Sequence, residues 1–206
     1  MGIHPDVFRP DPNKKEVTPD LLDPMVNGVQ DLAGRSYGIG EIGLDPKYGS
    51  NREQEKLFRE MLAISEKTGL PSSIHNRNSV SRILEVVSTF TLKGSVLLHW
   101  FAGTEQELAE IGDRGMFVSF GPSILTSKRM RGLVEQSSID LLLPETDSPT
   151  PFASLNNSIS TPFLIASVVF EISRIKKISF QDLSEKIEIN LWKYLGTQNS
   201  LRVRRK

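Results

Sequence analysis

From Tyr37 onward the apolar positions follow two alternating rhythms. Short apolar, β-branched runs are each followed by a longer stretch whose apolar residues recur three and four positions apart, the pattern of βα units around a parallel sheet. Strands are predicted over residues 37–44, 70–75, 95–101, 116–121 and 139–143. Helices are predicted over 51–68, with a stripe of Leu57, Met61, Leu62 and Ile64, and over 79–90, with Val80, Ile83, Leu84 and Val87. Further helices are expected over 104–114 (Leu108, Ile111), 127–135 (Met130, Leu133, Val134), 161–176 and 179–194. Asn51 followed by Gln54 has the form of a capping box at the start of the first, and Gly69 with Pro71 ends it. Residues 147–161, rich in Pro, Ser and Asn, are expected to form a loop.

This periodicity continues without an internal repeat, a low-complexity tract or a linker, so a single domain over residues 1–206 is expected. The 38% hydrophobic content is enough for one sizeable core. Lys plus Arg equals Asp plus Glu at 25 each, so no strong overall field attracts a polyanion, which must be recognised locally. The absence of cysteine excludes disulfides, thiolate zinc sites and a cysteine nucleophile, and leaves His, Asp and Glu as the metal ligands available. The opening Met-Gly-Ile-His-Pro lacks the form of a signal peptide, and no apolar run approaches the ~20 residues of a membrane span. A cytoplasmic protein with no membrane association is expected. The basic residues 202–206 read as a solvated end and carry no assigned role.

Candidate ligands fall at the ends of the predicted strands. Glu41 lies late in the first, His75 ends the second, His99 is near the end of the third, and Asp147 follows the fifth. In (β/α) barrels the chemistry is built at the carboxyl ends of several strands, where these four are expected to gather. Taken singly, a histidine at a strand end is more often a hydrogen-bonded structural residue, and an Asp before Ser-Pro is a good turn former. Their recurrence at the same end of successive units favours a site. Two imidazoles and two carboxylates suit zinc, manganese or a similar divalent ion, and a bridging carboxylate allows two.

At these positions the sequence resembles the TatD family of metal-dependent hydrolases. The resemblance is carried by GIHP at residues 2–5, GEIGLD at 40–45, Gln54 and Phe58, GLPSSIHNR at 69–77, HWFAG at 99–103, VSFG at 118–121, ETDSP at 145–149, and Asn190 with Leu195 and Gly196. It covers practically the whole chain. The resemblance implies a TIM-type (β/α) barrel, α/β in class, and a deoxyribonuclease working 3′ to 5′ on DNA or another phosphodiester with one or two Mg, Mn or Zn ions. It makes Glu41, His75, His99 and Asp147 metal ligands, with Glu41 and Asp147 catalytic and Asp147 orienting or deprotonating the attacking water. Arg77 is placed to grip a phosphate oxygen, or else a surface carboxylate. His4, ending a short strand, contacts substrate phosphate or packs in a turn fixed by Pro5. Glu145 holds a ligand in place. Asp45 reads as a loop cap and Asn190 as a helix-packing amide.

Family members carry a His-x-His pair on their first strand, which this sequence lacks. The chain begins at what resembles the third strand, so a barrel incomplete at the N-terminus by about two strands is expected, with activity in question for want of two ligands. A start placed too far downstream is the favoured explanation. The other readings are a truncated, catalytically impaired chain acting as a binding partner, and a metal hydrolase of a small ester or amide. HWFAG carries Trp100 and Ala102 where Cys and Ser are common in the family, and Pro46 and Lys47 replace a commoner aromatic pair, which bears on substrate choice.

Overall fold

The computed structural model describes residues 1–11, 17–49, 51–152 and 158–196. The chain divides into two compact units, residues 1–98 with the chain from 194 onward, and residues 99–193.

The first unit contains α1 (Pro19–Ala33), β1 (Ile39–Gly43), α2 (Asn51–Thr68), β2 (Ser72–His75), α3 (Val80–Val87) and β3 (Val96–Leu98). Its three strands run parallel in the order β1-β2-β3, as βα connections of this length require. Ile42 lies beside Ile74, which lies beside Leu98, and this row is fully buried. The predicted stripe of α2 packs against β1, with Phe58, Met61 and Leu62 essentially without solvent contact. Between Ile39 and Ile42, β1 carries one residue more than the facing stretch of β2, a bulge that resets the register just where Glu41 lies. Gly43 follows with φ 141°, a conformation that favours glycine, and a Cβ there would sit 2.1 Å from the His75 carbonyl oxygen. The glycines of GEIGLD thus let β1 and β2 approach at the point where both deliver their polar residues.

The second unit contains α4 (Glu105–Asp113), β4 (Phe117–Phe120), α5 (Lys128–Gln136), β5 (Leu142–Pro144), α6 (Leu164–Lys176) and α7 (Phe180–Leu195), whose last two residues belong to the first unit. It also holds an antiparallel hairpin of β6 (Pro151–Phe152) and β7 (Ser158–Ile159). Strands β4 and β5 are parallel, Val118 beside Leu142. Phe101, Phe120, Ile111, Val134, Leu142, Val168 and Ile172 form its core. A complete capping box, Thr104 with Glu107, starts α4. Asn190, the expected packing amide, is fully buried and donates to the carbonyls of Ile139 and Leu142, fixing α7 to the entrance of β5.

Several expectations are corrected. Helix α1 was not foreseen: Pro24 and Gly28 within it read as helix breakers, although Leu22, Val26, Val29 and Ala33 recur at helical spacing. The start of β5 moves to Leu142, because residues 138–141 close a turn in which the Leu141 amide donates to the Ser138 carbonyl. The strand expected to reach Phe101 stops at Leu98: Trp100 is left-handed, φ 42°, and its amide donates to the Ser119 hydroxyl. His4 does not end a strand but caps a 3-10 helix, Pro5–Phe8. The stretch 147–161 is not wholly loop, since it contains the β6-β7 hairpin. Gln54 spends its amide on Asp45 and Gly49 rather than on a capping box; the Asn51 side chain and the tail 202–206 lie outside the described residues. Among the described residues no helix is long and apolar enough to cross a membrane.

Candidate metal centre

In the first unit, GEIGLD places two carboxylates around the imidazole that ends β2. His75 Nδ1 is 2.8 Å from Glu41 Oε1, and His75 Nε2 is 3.1 Å from Asp45 Oδ2. Burial alone would lower the His75 pKa; the hydrogen bonds to Glu41 and Asp45 and the charges of those carboxylates outweigh it, and the pKa is raised. Asp45 is 1% exposed, and its other oxygen, Oδ1, accepts from the Lys47 amide 2.9 Å away, the loop cap expected of it. Gln54, equally buried, accepts from the Asp45 amide and donates to the Asp45 carbonyl, so the backbone of Asp45 is held from both sides.

His4 stands edge-on to His75 with ring centroids 4.6 Å apart, and its Nε2 is 3.6 Å from Glu41 Oε1. Its Nδ1 faces two partners that ask for opposite protonation, the Asp6 amide at 3.0 Å and the Asp6 carboxylate at 2.9 Å. Accepting from the amide puts the proton on Nε2, a donor suited to a carboxylate or phosphate oxygen; donating to the carboxylate instead leaves Nε2 as a metal-ligand atom.

In the second unit, Glu145 Oε2 accepts from His99 Nδ1 at 2.5 Å and from the Ser119 hydroxyl at 2.8 Å. His99 Nε2 is 3.6 Å from Asp147 Oδ1. Asp147 occupies the left-handed region, φ 45°, which Asp tolerates better than most residues, and its Oδ2 accepts from the Thr150 hydroxyl. The turn-forming and the site-forming readings of Asp147 therefore describe the same residue. Glu145 Oε1 is buried without a hydrogen-bond partner among the described residues. The Trp100 ring packs over Gly121, beside His99.

The four residues expected as ligands thus occur as two pairs, Glu41 with His75 and His99 with Asp147, each an imidazole nitrogen facing a carboxylate. Arg77 is exposed in the turn after β2 and makes no ion pair among the described residues, so the surface-carboxylate reading has no partner there. Donor chemistry fits a divalent cation: one ligand atom from each of His4, Glu41 and His75 lies within 4.8 Å of the others. In both pairs the ring nitrogen turned away from the partner carboxylate is hydrogen-bonded to a second carboxylate, the arrangement that orients metal-binding histidines. Sequence reasoning assigned that role to Glu145 but saw in Asp45 only a cap; a carboxylate two residues past a bulged strand gives no periodic signal of the side chain it will meet.

Comparison with known proteins bears on both fold and site. A family model described as TatD related DNase matches residues 1–196. An uncharacterized metal-dependent hydrolase of Methanocaldococcus jannaschii is 25% identical over 194 residues, 94% of this chain and 74% of that protein. The 3'-5' ssDNA/RNA exonuclease TatD of Cronobacter sakazakii is 35% identical over 127 residues, 57% of this chain and 48% of that protein. A TatD homologue from Escherichia coli K12 superposes with a TM-score of 0.80 at 19% identity, covering 94% of this chain and 74% of the other. That likeness gives the fold as the expected α/β, TIM-type barrel kind.

Proposed function

Since the chain belongs to the family of TatD related DNases, a family of metal-dependent hydrolases, we propose that it hydrolyses phosphodiester bonds of DNA from the 3′ end, with divalent ions held by Glu41, His75, His99 and Asp147. The observation that carries this reading is the repeated pairing of an imidazole with a carboxylate, each ring braced from behind by a second carboxylate.

One or two Mg, Mn or Zn ions bound there would lower the pKa of a water and neutralise charge on the phosphate. Asp147 orients the attacking water and takes its proton, its Oδ2 steadied by Thr150. Arg77, exposed and without a described ion-pair partner, has its guanidinium available for paired hydrogen bonds to a phosphate oxygen. His4 Nε2–H donates to a second phosphate oxygen, its ring fixed by the Asp6 amide. Glu145, braced by Ser119, holds His99 with the proton on Nδ1, so that Nε2 presents its lone pair on the side of Asp147. The absence of strong net charge means that DNA is gripped at these groups rather than drawn by a general field.

The test is digestion of a 5′-labelled single-stranded oligonucleotide in Mg²⁺ or Mn²⁺. Successive shortening from the 3′ end with release of mononucleotides, abolished by EDTA, is expected. A substrate left intact with each of Mg²⁺, Mn²⁺ and Zn²⁺, or cut equally in EDTA, contradicts the proposal.

A further inference from the structure

We infer that Asp45 is a positioning residue for the metal centre, selecting which nitrogen of His75 is free to bind a cation. The inference rests on the reading above that His75 is a ligand.

Three observations lead to it. First, the two carboxylate oxygens of Asp45 have fixed and separate duties: Oδ1 accepts from the Lys47 amide, and Oδ2 meets His75 Nε2. Second, the residue cannot turn away. It is 1% exposed, and Gln54 accepts from its amide and donates to its carbonyl, so neither backbone nor side chain has an alternative arrangement without breaking a buried hydrogen bond. Third, the opposite nitrogen, Nδ1, is the one that faces Glu41, 2.8 Å away. A carboxylate is an acceptor only, so without a metal both contacts call for a ring proton; a cation shared by His75 and Glu41 would replace the proton on Nδ1, while the buried Asp45 keeps the one on Nε2 and so leaves Nδ1 as the ligand atom.

Gln54 and Asp45 thus extend the site back into the start of α2. The same chain of contacts explains why a fully buried carboxylate is tolerated, since each oxygen has a donor and the backbone on both sides is satisfied.

Asp45→Asn separates this role from a structural one. With Oδ1 still held by the Lys47 amide, the cap is retained and the side-chain NH₂ is turned toward His75 Nε2. That nitrogen must then accept, the proton moves to Nδ1, and the ligand position is blocked. Mn²⁺ binding measured by titration calorimetry is expected to weaken by about 10–100-fold, with the circular dichroism spectrum and thermal midpoint close to wild type. Two-bond ¹H–¹⁵N spectra of the Zn²⁺-loaded wild-type protein are expected to show the Nε2–H form of His75, and those of the metal-free variant the Nδ1–H form.

Wild-type Mn²⁺ affinity in Asp45→Asn, or an Nδ1–H form of His75 in the Zn²⁺-loaded wild type, overturns the inference; the second measurement holds even if the variant fails to fold. His75→Ala distinguishes the two levels of the argument. If His75→Ala loses Mn²⁺ binding and Asp45→Asn does not, the metal centre stands and the role of Asp45 falls; if His75→Ala binds as wild type does, both fall.

Discussion

The two imidazole–carboxylate pairs use one device with the ring reversed. In the first unit the bracing carboxylate, Asp45, holds His75 by Nε2 and leaves Nδ1 for Glu41; in the second, Glu145 holds His99 by Nδ1 and leaves Nε2 toward Asp147. The bracing carboxylates are themselves secured differently. Asp45 divides its oxygens between a backbone amide and the ring, whereas Glu145 takes both His99 and Ser119 on Oε2 and leaves Oε1 buried and unpartnered among the described residues. The first arrangement is rigid in both position and polarity. The second is rigid in position but tolerates an amide, because a glutamine can keep its oxygen on His99 and turn its nitrogen to the unpartnered side.

The largest expected effects lie in the second pair. Asp147→Asn removes the proposed proton acceptor and ligand charge, and is expected to lower the rate of nucleotide release by at least about 10²–10⁴-fold. His99→Ala removes a proposed ligand outright and should act at least as severely. Circular dichroism should stay near wild type in both, and unchanged nuclease rates in both would dissolve the second pair as a functional unit.

The next effect tests the difference itself. Glu145→Gln is expected to weaken Mn²⁺ binding by roughly tenfold, the low end for a residue that braces a ligand, and by less than Asp45→Asn. A loss larger than that of Asp45→Asn would reverse the comparison. Its measure is titration calorimetry on both variants under the same conditions.

Smaller effects on stability follow. Gln54→Ala strips the buried Asp45 amide of its acceptor and is expected to cost about 1–3 kcal/mol in denaturant unfolding, with Mn²⁺ affinity falling alongside as Asp45 loosens. Thr104→Ala, which breaks the capping box of α4 just after His99, is expected to cost about 1 kcal/mol and to leave Mn²⁺ affinity unchanged. If Gln54→Ala behaves like Thr104→Ala, losing stability alone, the clamp around Asp45 is structural and nothing more.

Legibility in the sequence followed the physics of each feature. The βα rhythm was readable because each strand and helix buries a periodic face: the α2 stripe of Leu57, Met61 and Leu62 packs as its spacing implies, and α2 spans the residues expected. Helix α1 was not, since its interior proline reads as a helix breaker although Leu22, Val26, Val29 and Ala33 recur at helical spacing. Glu41, His75, His99 and Asp147 were singled out by their residue types at strand ends, and the structure sets them as two imidazole–carboxylate pairs. Their partners were legible only in part: Glu145 sits two positions from Asp147 in a specific motif, but the meeting of Asp45 with His75, 30 positions away, depends on the bulge in β1 and the turn after it. The placement of His4 against His75 depends likewise on Met1 lying along β1, where the Gly40 amide donates to the Met1 carbonyl.

Binding of Mn²⁺ to wild type, His75→Ala and His99→Ala, followed by titration calorimetry on the folded proteins, probes the assigned ligands without requiring a substrate. Saturable binding by the wild type, weakened or lost in each single variant, is the predicted result. Wild-type stoichiometry and affinity in both variants would contradict the assignment of these histidines, and with it the account of how the chain holds its metal.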